Sequence, residues 1–337
     1  MSEDTISFSL DDAREFAAVA LLGAGASPAM ATALARATVD ADARSPSAAG
    51  FSHLVDYLEG LVAGRINGKA EPRRTDPAPA LIRIDADGGI AQLGFDLAFE
   101  DLAGKARTFG IALFAQFNSY TSGELGDYAF RLAERGLVGL AATNGPALIA
   151  GSGGKVPVYC TNPLAFAAPR RHGAPLLIDQ SSSATAFANI REAAARSEPI
   201  PPGWAVDAAG RPTTDAKEAM KGAMLAFGGA RGANIALMVE VLAAGLSGAN
   251  WSLEAPDFMT GDKTPGSGLT VIAIAPSLLD DGFEERLDAQ LSRLSTGYGI
   301  HIPGVSKFDA LNRAREDGIR LPSALVSRIS AFARGRD

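Results

Sequence analysis

Apolar positions recur at helical spacing through the first third of the chain. They then gather into short runs separated by glycine, proline and small polar residues. Ser9-Leu10-Asp11-Asp12 predicts a helix N-cap with acid in the first turn, and Phe16, Val19 and Ala20 share one face of that helix. The string VALLGAGAS, Val19 to Ser27, imitates a dinucleotide fingerprint but lacks its third glycine and follows helical spacing. It reads as a helix end followed by a new start at Ser27-Pro28. Helices are predicted over 29–43, 51–63, 95–108 and 125–135, with a loop over 44–50 and a proline-bearing connection over 64–79. Strands are predicted over 80–85, 110–117 and 137–143, with a turn at Asp87-Gly88-Gly89 and a polar loop from Asn118 to Gly123. The second half predicts strands over 164–168, 176–178 and 271–274, and helices over 184–195, 233–246 and 278–294. Between them lie a turn-rich segment over 199–212, a short helix opening at Thr213-Thr214-Asp215 and a flexible loop over 228–232. Ile302-Pro303-Gly304 begins a loop into a last pair of helices. Strands alternating with helices predict an α/β fold.

The chain has 337 residues, 47% of them hydrophobic, enough for a large core in two or three subdomains. A formal net charge of −7 and the lack of a basic, aromatic-interleaved patch argue against a nucleic-acid partner. No apolar run reaches the length of a membrane span, and the opening MSEDTISFSLDD is acidic rather than leader-like, so a cytoplasmic protein is expected. The single cysteine, Cys160, excludes an intrachain disulfide, and three scattered histidines give no metal-ligand spacing. Gly151-Ser152-Gly153-Gly154-Lys155 lacks the spacing of a P-loop, and there is no GxSxG elbow.

The most informative stretch is 161–190, TNPLAFAAPRRHGAPLLIDQSSSATAFANI. Its second apolar run ends at Asp179-Gln180-Ser181, followed by small residues and a predicted helix. A strand, a polar loop and a helix start form a common place for a phosphate or small acid in α/β proteins. Spacing alone allows Asp179 to be either a helix cap or part of such a pocket.

Several pieces, in order along nearly the whole chain, resemble one family: TNPLAFAAPR, LLIDQSSS, EPIPPGWAVDAAGRPTTD, AFGGARGANIALMVEVL and HIPG. Together they are similar to the malate/L-lactate dehydrogenase type of nicotinamide-dependent oxidoreductase. Their wording is nearest to the Δ1-piperideine-2-carboxylate and Δ1-pyrroline-2-carboxylate reductases. The resemblance implies a non-Rossmann, mixed-sheet α/β fold binding NADPH or NADH in an extended groove. It implies a homodimer with a helical part built from both chain ends. The expected division is 1–117 helical, 118–295 nucleotide-binding and 296–337 returning to the first part.

The resemblance also implies site residues, and several depart from the family pattern. A family Ser-His-Gly falls on Ala48-Ala49-Gly50, so the expected proton-transferring histidine is alanine, and a family arginine position falls on His53. The four-residue shift is about one helical turn, which would aim His53 toward the same cavity. A family Asn-Ser-His-His-Phe-Gly reads Asn118-Ser119-Tyr120-Thr121-Ser122-Gly123, and a family carboxylate position reads Asn189. A family lysine has become Arg231. Catalytic candidates are therefore His53 and, as runner-up, Tyr120; substrate candidates are Thr161, Asn162, Ala49 and Asn189. Cofactor candidates are Thr121, Ser122, Gly123, Glu124 and Leu125, then Asp179, Gln180 and Ser181, then Ala230 and Arg231, then Pro303, Gly304 and Lys307. No metal is expected.

Hydride transfer needs a C=O or C=N carbon against the nicotinamide, a carboxylate anchor and a proton source. An iminium carries its proton already, so loss of the histidine favours a cyclic imino acid over a 2-oxo or 2-hydroxy acid. The rival from another class is a catalytically weakened paralogue that still binds the nucleotide.

Overall fold

The computed structural model describes residues 4–45 and 49–334, and the elements run as follows. The first part holds β1 (Thr5–Phe8), α1 (Leu10–Gly23), α2 (Pro28–Arg44), α3 (Phe51–Val62), β2 (Arg73–Thr75), β3 (Leu81–Asp85), α4 (Ala91–Phe109) and β4 (Ile111–Ser119). The middle holds α5 (Leu125–Ala133), β5 (Val138–Thr143), β6 (Ile149–Ala150), β7 (Pro157–Tyr159), β8 (Leu164–Ala168), β9 (Leu176–Gln180), α6 (Phe187–Arg196), β10 (Ala205–Val206) and β11 (Pro212–Thr213). The rest holds α7 (Ala216–Ala219), β12 (Ala223–Met224), α8 (Ala230–Glu240), β13 (Ser267–Ile274), α9 (Phe283–Ser292), α10 (Val305–Asp317), β14 (Ile319–Pro322) and α11 (Ser323–Ser330).

The main sheet has seven strands in the order β2-β3-β4-β13-β5-β8-β9. Only β3 and β4 pair in parallel; the other neighbours are antiparallel. This is a mixed sheet, not the parallel doubly wound one of a Rossmann domain. Helices α4 and α5 pack on it, as do α8 and the π-helical turn Val241–Gly245 that continues α8. One core joins Phe51, Leu54 and Tyr57 of α3 to Phe95 of α4, Phe114 of β4 and Tyr128 of α5, and extends to Ile329 of α11. Each fully buried large side chain there stabilises the fold by roughly 1.5–3 kcal/mol. A second, smaller core of Ile149, Ile190, Ile200, Met224 and Ala236 lies under the five-stranded sheet β11-β10-β12-β6-β7.

The chain ends meet. β1 pairs antiparallel with β14, α10 packs on α2, and α11 packs on α3. Ser9 caps α1 by accepting from the Asp12 amide, and Ser27 caps α2 by accepting from Met30, as their sequence positions predict.

Several boundaries differ from the pattern reading; α4 starts at Ala91 rather than 95, and β13 at Ser267 rather than 271. Residues 230–232 belong to the first turn of α8, not to the preceding loop, because Gly228 and Gly229 with positive φ make the turn alone. The helix predicted from 278 starts at Phe283, after a 3-10 turn at Pro276–Leu278. The helix predicted from 184 starts at Phe187, because residues 183–184 bridge to the Leu225–Ala226 strand end instead. Strands β1 and β14 carry no strong alternation and form because they pair with each other. Within the predicted 44–50 loop, residues 46–48 lie outside the described residues, Ala48 among them.

Candidate active site

Three distant segments converge at the start of α5. Glu124 is its N-cap residue, and Asp179 at the end of β9 accepts a hydrogen bond from the Gly126 amide at 2.8 Å. Asp179 is therefore a cap, but of α5 rather than of the helix that follows it in sequence. A Cβ on Gly126 would stand 2.8 Å from the Asp179 carboxylate, so glycine is what admits this approach. Burial pushes the Asp179 carboxyl above its ordinary range, against the pull of Lys307. Lys307 on α10 pairs with Glu124 at 2.8 Å, and the Pro303 carbonyl accepts from the Leu177 amide of β9 at 3.4 Å. Gly304, at φ 93°, has its Cα so close to β9 that a Cβ would lie 2.8 Å from the Leu177 nitrogen. Glu124, Leu125, Asp179, Pro303, Gly304 and Lys307, scattered over the sequence, thus form one cluster.

Behind it lies a charged network that the sequence reading missed. Arg44, at the end of α2, pairs with Glu124 at 2.9 Å and with Asp127 at 2.7 Å, and Arg36 pairs with Asp127 at 3.2 Å. Burial alone would raise the Asp127 carboxyl, but Arg44, Arg36 and Arg131 hold it at about 2.

From Asp179 a polar strip runs toward α8. The Ser181 and Ser183 hydroxyls are 2.9 Å apart, Phe227 donates to the Ser182 carbonyl at 3.0 Å, and Ala184 donates to the Leu225 carbonyl at 2.8 Å. It ends at a cavity of about 350 Å³ lined by Gly151, Gly154, Ala184, Gly228, Gly229 and Ala230. A Cβ at Gly228 or Gly229 would meet nothing within 4 Å, so this backbone is open to a ligand. Arg231 in the first turn of α8 is exposed and has no acidic partner among the described residues. Free amides at a helix start, open glycines and an unpaired cation suit the phosphates of a nucleotide. Gln180 is exposed at the rim of this strip.

The third group stands at the loop before α5. His53, in the first turn of α3, has Nδ1 2.8 Å from Asp56 Oδ2 and Nε2 3.2 Å from Thr121 Oγ1. Thr121 Oγ1 lies 2.6 Å from the Tyr57 hydroxyl, to which Gln92 donates at 3.0 Å. Ser122 accepts from the Tyr128 hydroxyl through its carbonyl at 2.8 Å, and Gly123 turns the chain at φ 67°. Asp56, the partner of His53, was legible as an i,i+3 neighbour on a helix but carries no motif.

Other candidates are placed differently from expectation. Tyr120 is fully buried, and its hydroxyl donates to the Phe258 carbonyl at 2.7 Å. Burial raises its phenol well above the ordinary range. That hydroxyl pins the 258 loop and is not available to a ligand, a correction to the runner-up catalytic reading. Asn162 is also fully buried; it takes left-handed backbone at φ 38° and donates to the Ala236 carbonyl at 2.8 Å and to Glu240 at 2.7 Å. It fastens its turn to α8, which corrects the expectation of a direct substrate contact. Thr161 is half-buried, with its carbonyl accepting from Ser182 at 2.8 Å. Ala49 is half-buried in the turn before α3. Asn189 is exposed at the start of α6 and lines a cavity of about 600 Å³ with Asp42, Ser52, Arg191 and Arg320. Arg191, another residue the sequence reading missed, sets its guanidinium 3.8 Å from the Met259 sulfur, and Met259 adjoins Phe258 beside His53.

Residues 8–330 match the sequence profile described as malate/L-lactate dehydrogenase. The chain is 37% identical to a (2R)-3-sulfolactate dehydrogenase (NADP(+)) of Chromohalobacter salexigens, covering 97% of this chain and 98% of that one. It is 38% identical to a Δ1-pyrroline-2-carboxylate/Δ1-piperideine-2-carboxylate reductase of Pseudomonas aeruginosa, covering 97% and 99%. Among solved structures it superposes on the Δ1-piperideine-2-carboxylate reductase of Pseudomonas syringae with a TM-score of 0.92 at 32% identity, over 97% of this chain and 99% of that one. The profile match, these identities and the mixed-sheet architecture agree that the chain belongs to the malate/L-lactate dehydrogenase family.

Proposed function

We propose that this protein is an NAD(P)H-dependent reductase of a small cyclic imino acid of the Δ1-pyrroline- or Δ1-piperideine-2-carboxylate type. The observation that carries the reading is a displaced imidazole beside residues suited to a nucleotide. Ala49 stands where the family resemblance expects histidine, while His53 is held nearby between Asp56 and Thr121. The reduced nicotinamide nucleotide supplies the hydride. The Asp179, Lys307 and Gly304 cluster would hold its nicotinamide end, and the α8 start with Arg231 its phosphates. Asn189 and Arg191 would line the substrate side, where the Arg191 guanidinium suits a carboxylate. An imine, protonated in solution, needs less from the protein than a ketone does, which matches a site without the family histidine.

A 2-oxo acid is the second reading, favoured by the identity to a sulfolactate dehydrogenase and by the imidazole held against Thr121. A weakened, nucleotide-binding paralogue is the third, favoured by the substitutions at Ala48, Ala49 and Asn189. We place the protein in the cytoplasm as a homodimer. Among the described residues no helix is long and apolar enough to cross a membrane. Leu237, Met238 and Val241 form an exposed apolar stripe at helical spacing along α8 and into the turn that continues it, suited to a second copy.

The test is NAD(P)H oxidation with both cyclic imines, pyruvate and oxaloacetate. The imines should turn over with the highest kcat/KM. Turnover of 2-oxo acids alone would move the assignment to the second reading. Cofactor binding without turnover of any of them would move it to the third.

A further inference from the structure

We propose that the Thr121 hydroxyl hands the proton to the substrate, recharged by His53 and oriented through Asp56; this rests on the reductase reading. Both ring nitrogens of His53 are engaged. A carboxylate only accepts, so Asp56 at 2.8 Å keeps a hydrogen on Nδ1 and leaves Nε2 facing Thr121 at 3.2 Å. His53 therefore reaches a ligand through the threonine rather than directly. The arrangement of carboxylate, imidazole and hydroxyl is that of a nucleophilic triad, here set beside a nucleotide groove. Thr121 is half-buried, whereas Tyr57 is almost fully buried between Thr121 and Gln92. Burial pushes the Tyr57 phenol up to about 12, so it serves as a fixed partner for the hydroxyl.

The relay delivers a proton only from the imidazolium. With neutral His53, Thr121 donates its one hydrogen to the Tyr57 hydroxyl at 2.6 Å. With the imidazolium, Nε2 donates to Oγ1, and the Thr121 hydrogen turns from Tyr57 to the imine. On transfer the Oγ1–H bond breaks as a new N–H bond forms on the imine. The Nε2 proton passes to Oγ1, and neutral His53 remains bonded to Asp56 through Nδ1–H. The resulting iminium then accepts the hydride at carbon, and solvent reprotonates His53 after release. Around the ring, Asp56 and Tyr57 come from its own helix, Phe258 closes one side with ring centroids 6.5 Å apart, and Tyr120 bonds the Asp56 carbonyl at 3.3 Å with Arg65 beside it.

The experiment uses Δ1-pyrroline-2-carboxylate across pH with the full-length protein. In acid the substrate is already an iminium and the relay is idle; in strong alkali a neutral His53 has no Nε2 proton to give and the relay is idle again, so it works between the two. Thr121→Val should therefore lower kcat about 10²-fold or more at the intermediate pH where neutral imine meets imidazolium, and only a few-fold at either extreme, with KM little changed. Thr121→Ser should restore most of the loss. Asp56→Asn should show the same loss at intermediate pH, and ¹⁵N spectra of the cofactor-free variant should show the His53 Nδ1–H tautomer of the wild type giving way to a mixture. A Thr121→Val enzyme that matches wild type across the whole pH range overturns the relay. So does an equal loss at every pH that serine does not rescue. A wild-type enzyme that leaves NADPH and NADH unconsumed instead overturns the reductase reading, and the relay with it.

Discussion

Asp127→Asn is the sharpest test of how the groove is held. Asp127 is buried, with 6% of its side chain exposed, and receives Arg44 at 2.7 Å and Arg36 at 3.2 Å. Its carboxyl sits at about 2 instead of 3.8. At 1.36 kcal/mol per tenfold, that depression corresponds to about 2 kcal/mol of stability at neutral pH. The sign follows from the direction. A carboxyl depressed by folding contributes fully above its unfolded value near 3.8, and its contribution disappears as pH falls through about 2. The amide also leaves Arg44 buried with fewer negative partners, and breaking a buried pair from one side costs about 3–5 kcal/mol. Urea unfolding should therefore show Asp127→Asn destabilised by about 2–5 kcal/mol near pH 7, with the gap to wild type closing as the pH approaches about 2. Because Arg44 also holds Glu124 at the start of α5, nucleotide affinity should fall as well. A loss below about 1 kcal/mol, or a gap that does not change with pH, would refute the reasoning.

Three further outcomes follow from the geometry. Arg191→Met should raise KM for the imino acid by about 10–100-fold with kcat within a few-fold, measured by steady-state kinetics, because it removes a charge-assisted contact made equally in ground and transition states. Arg231→Ala should weaken nucleotide binding about tenfold in a fluorescence titration, as expected for one cation at a helix start. Unchanged affinity would take Arg231 out of the groove. Leu237→Asp combined with Met238→Asp should give monomers in sedimentation experiments, and a persistent dimer would move the interface away from α8.

Most elements were legible because their signals are local. Ser9 and Ser27 announce helix starts by side-chain caps, and 164–168 is set off by Asn162-Pro163 ahead of it. The misplaced boundaries are those where a partner decides. Thr5–Phe8 is a strand only because Ile319–Pro322 lies beside it, and residues 183–184 leave the α6 helix because the Leu225–Ala226 segment bonds them. Motif wording singled out candidate residues but not their neighbours. Asp56, Arg44 and Arg191 match no motif; each became meaningful only through a side chain that folding brought to it.

By itself the amino-acid order determined the family, the alternation of strands and helices, and the short motifs whose residues are candidates for the site. These are properties of short windows, where backbone preference and side-chain type act on nearest neighbours. Tertiary structure alone decided which of those residues meet and in what role. It turned Asp179 into the cap of a helix 53 residues earlier, buried Tyr120 and Asn162 as anchors, and placed His53 between Asp56 and Thr121. Burial, hydrogen-bond partners and charge environment depend on chain segments far apart in sequence, and no local pattern encodes them.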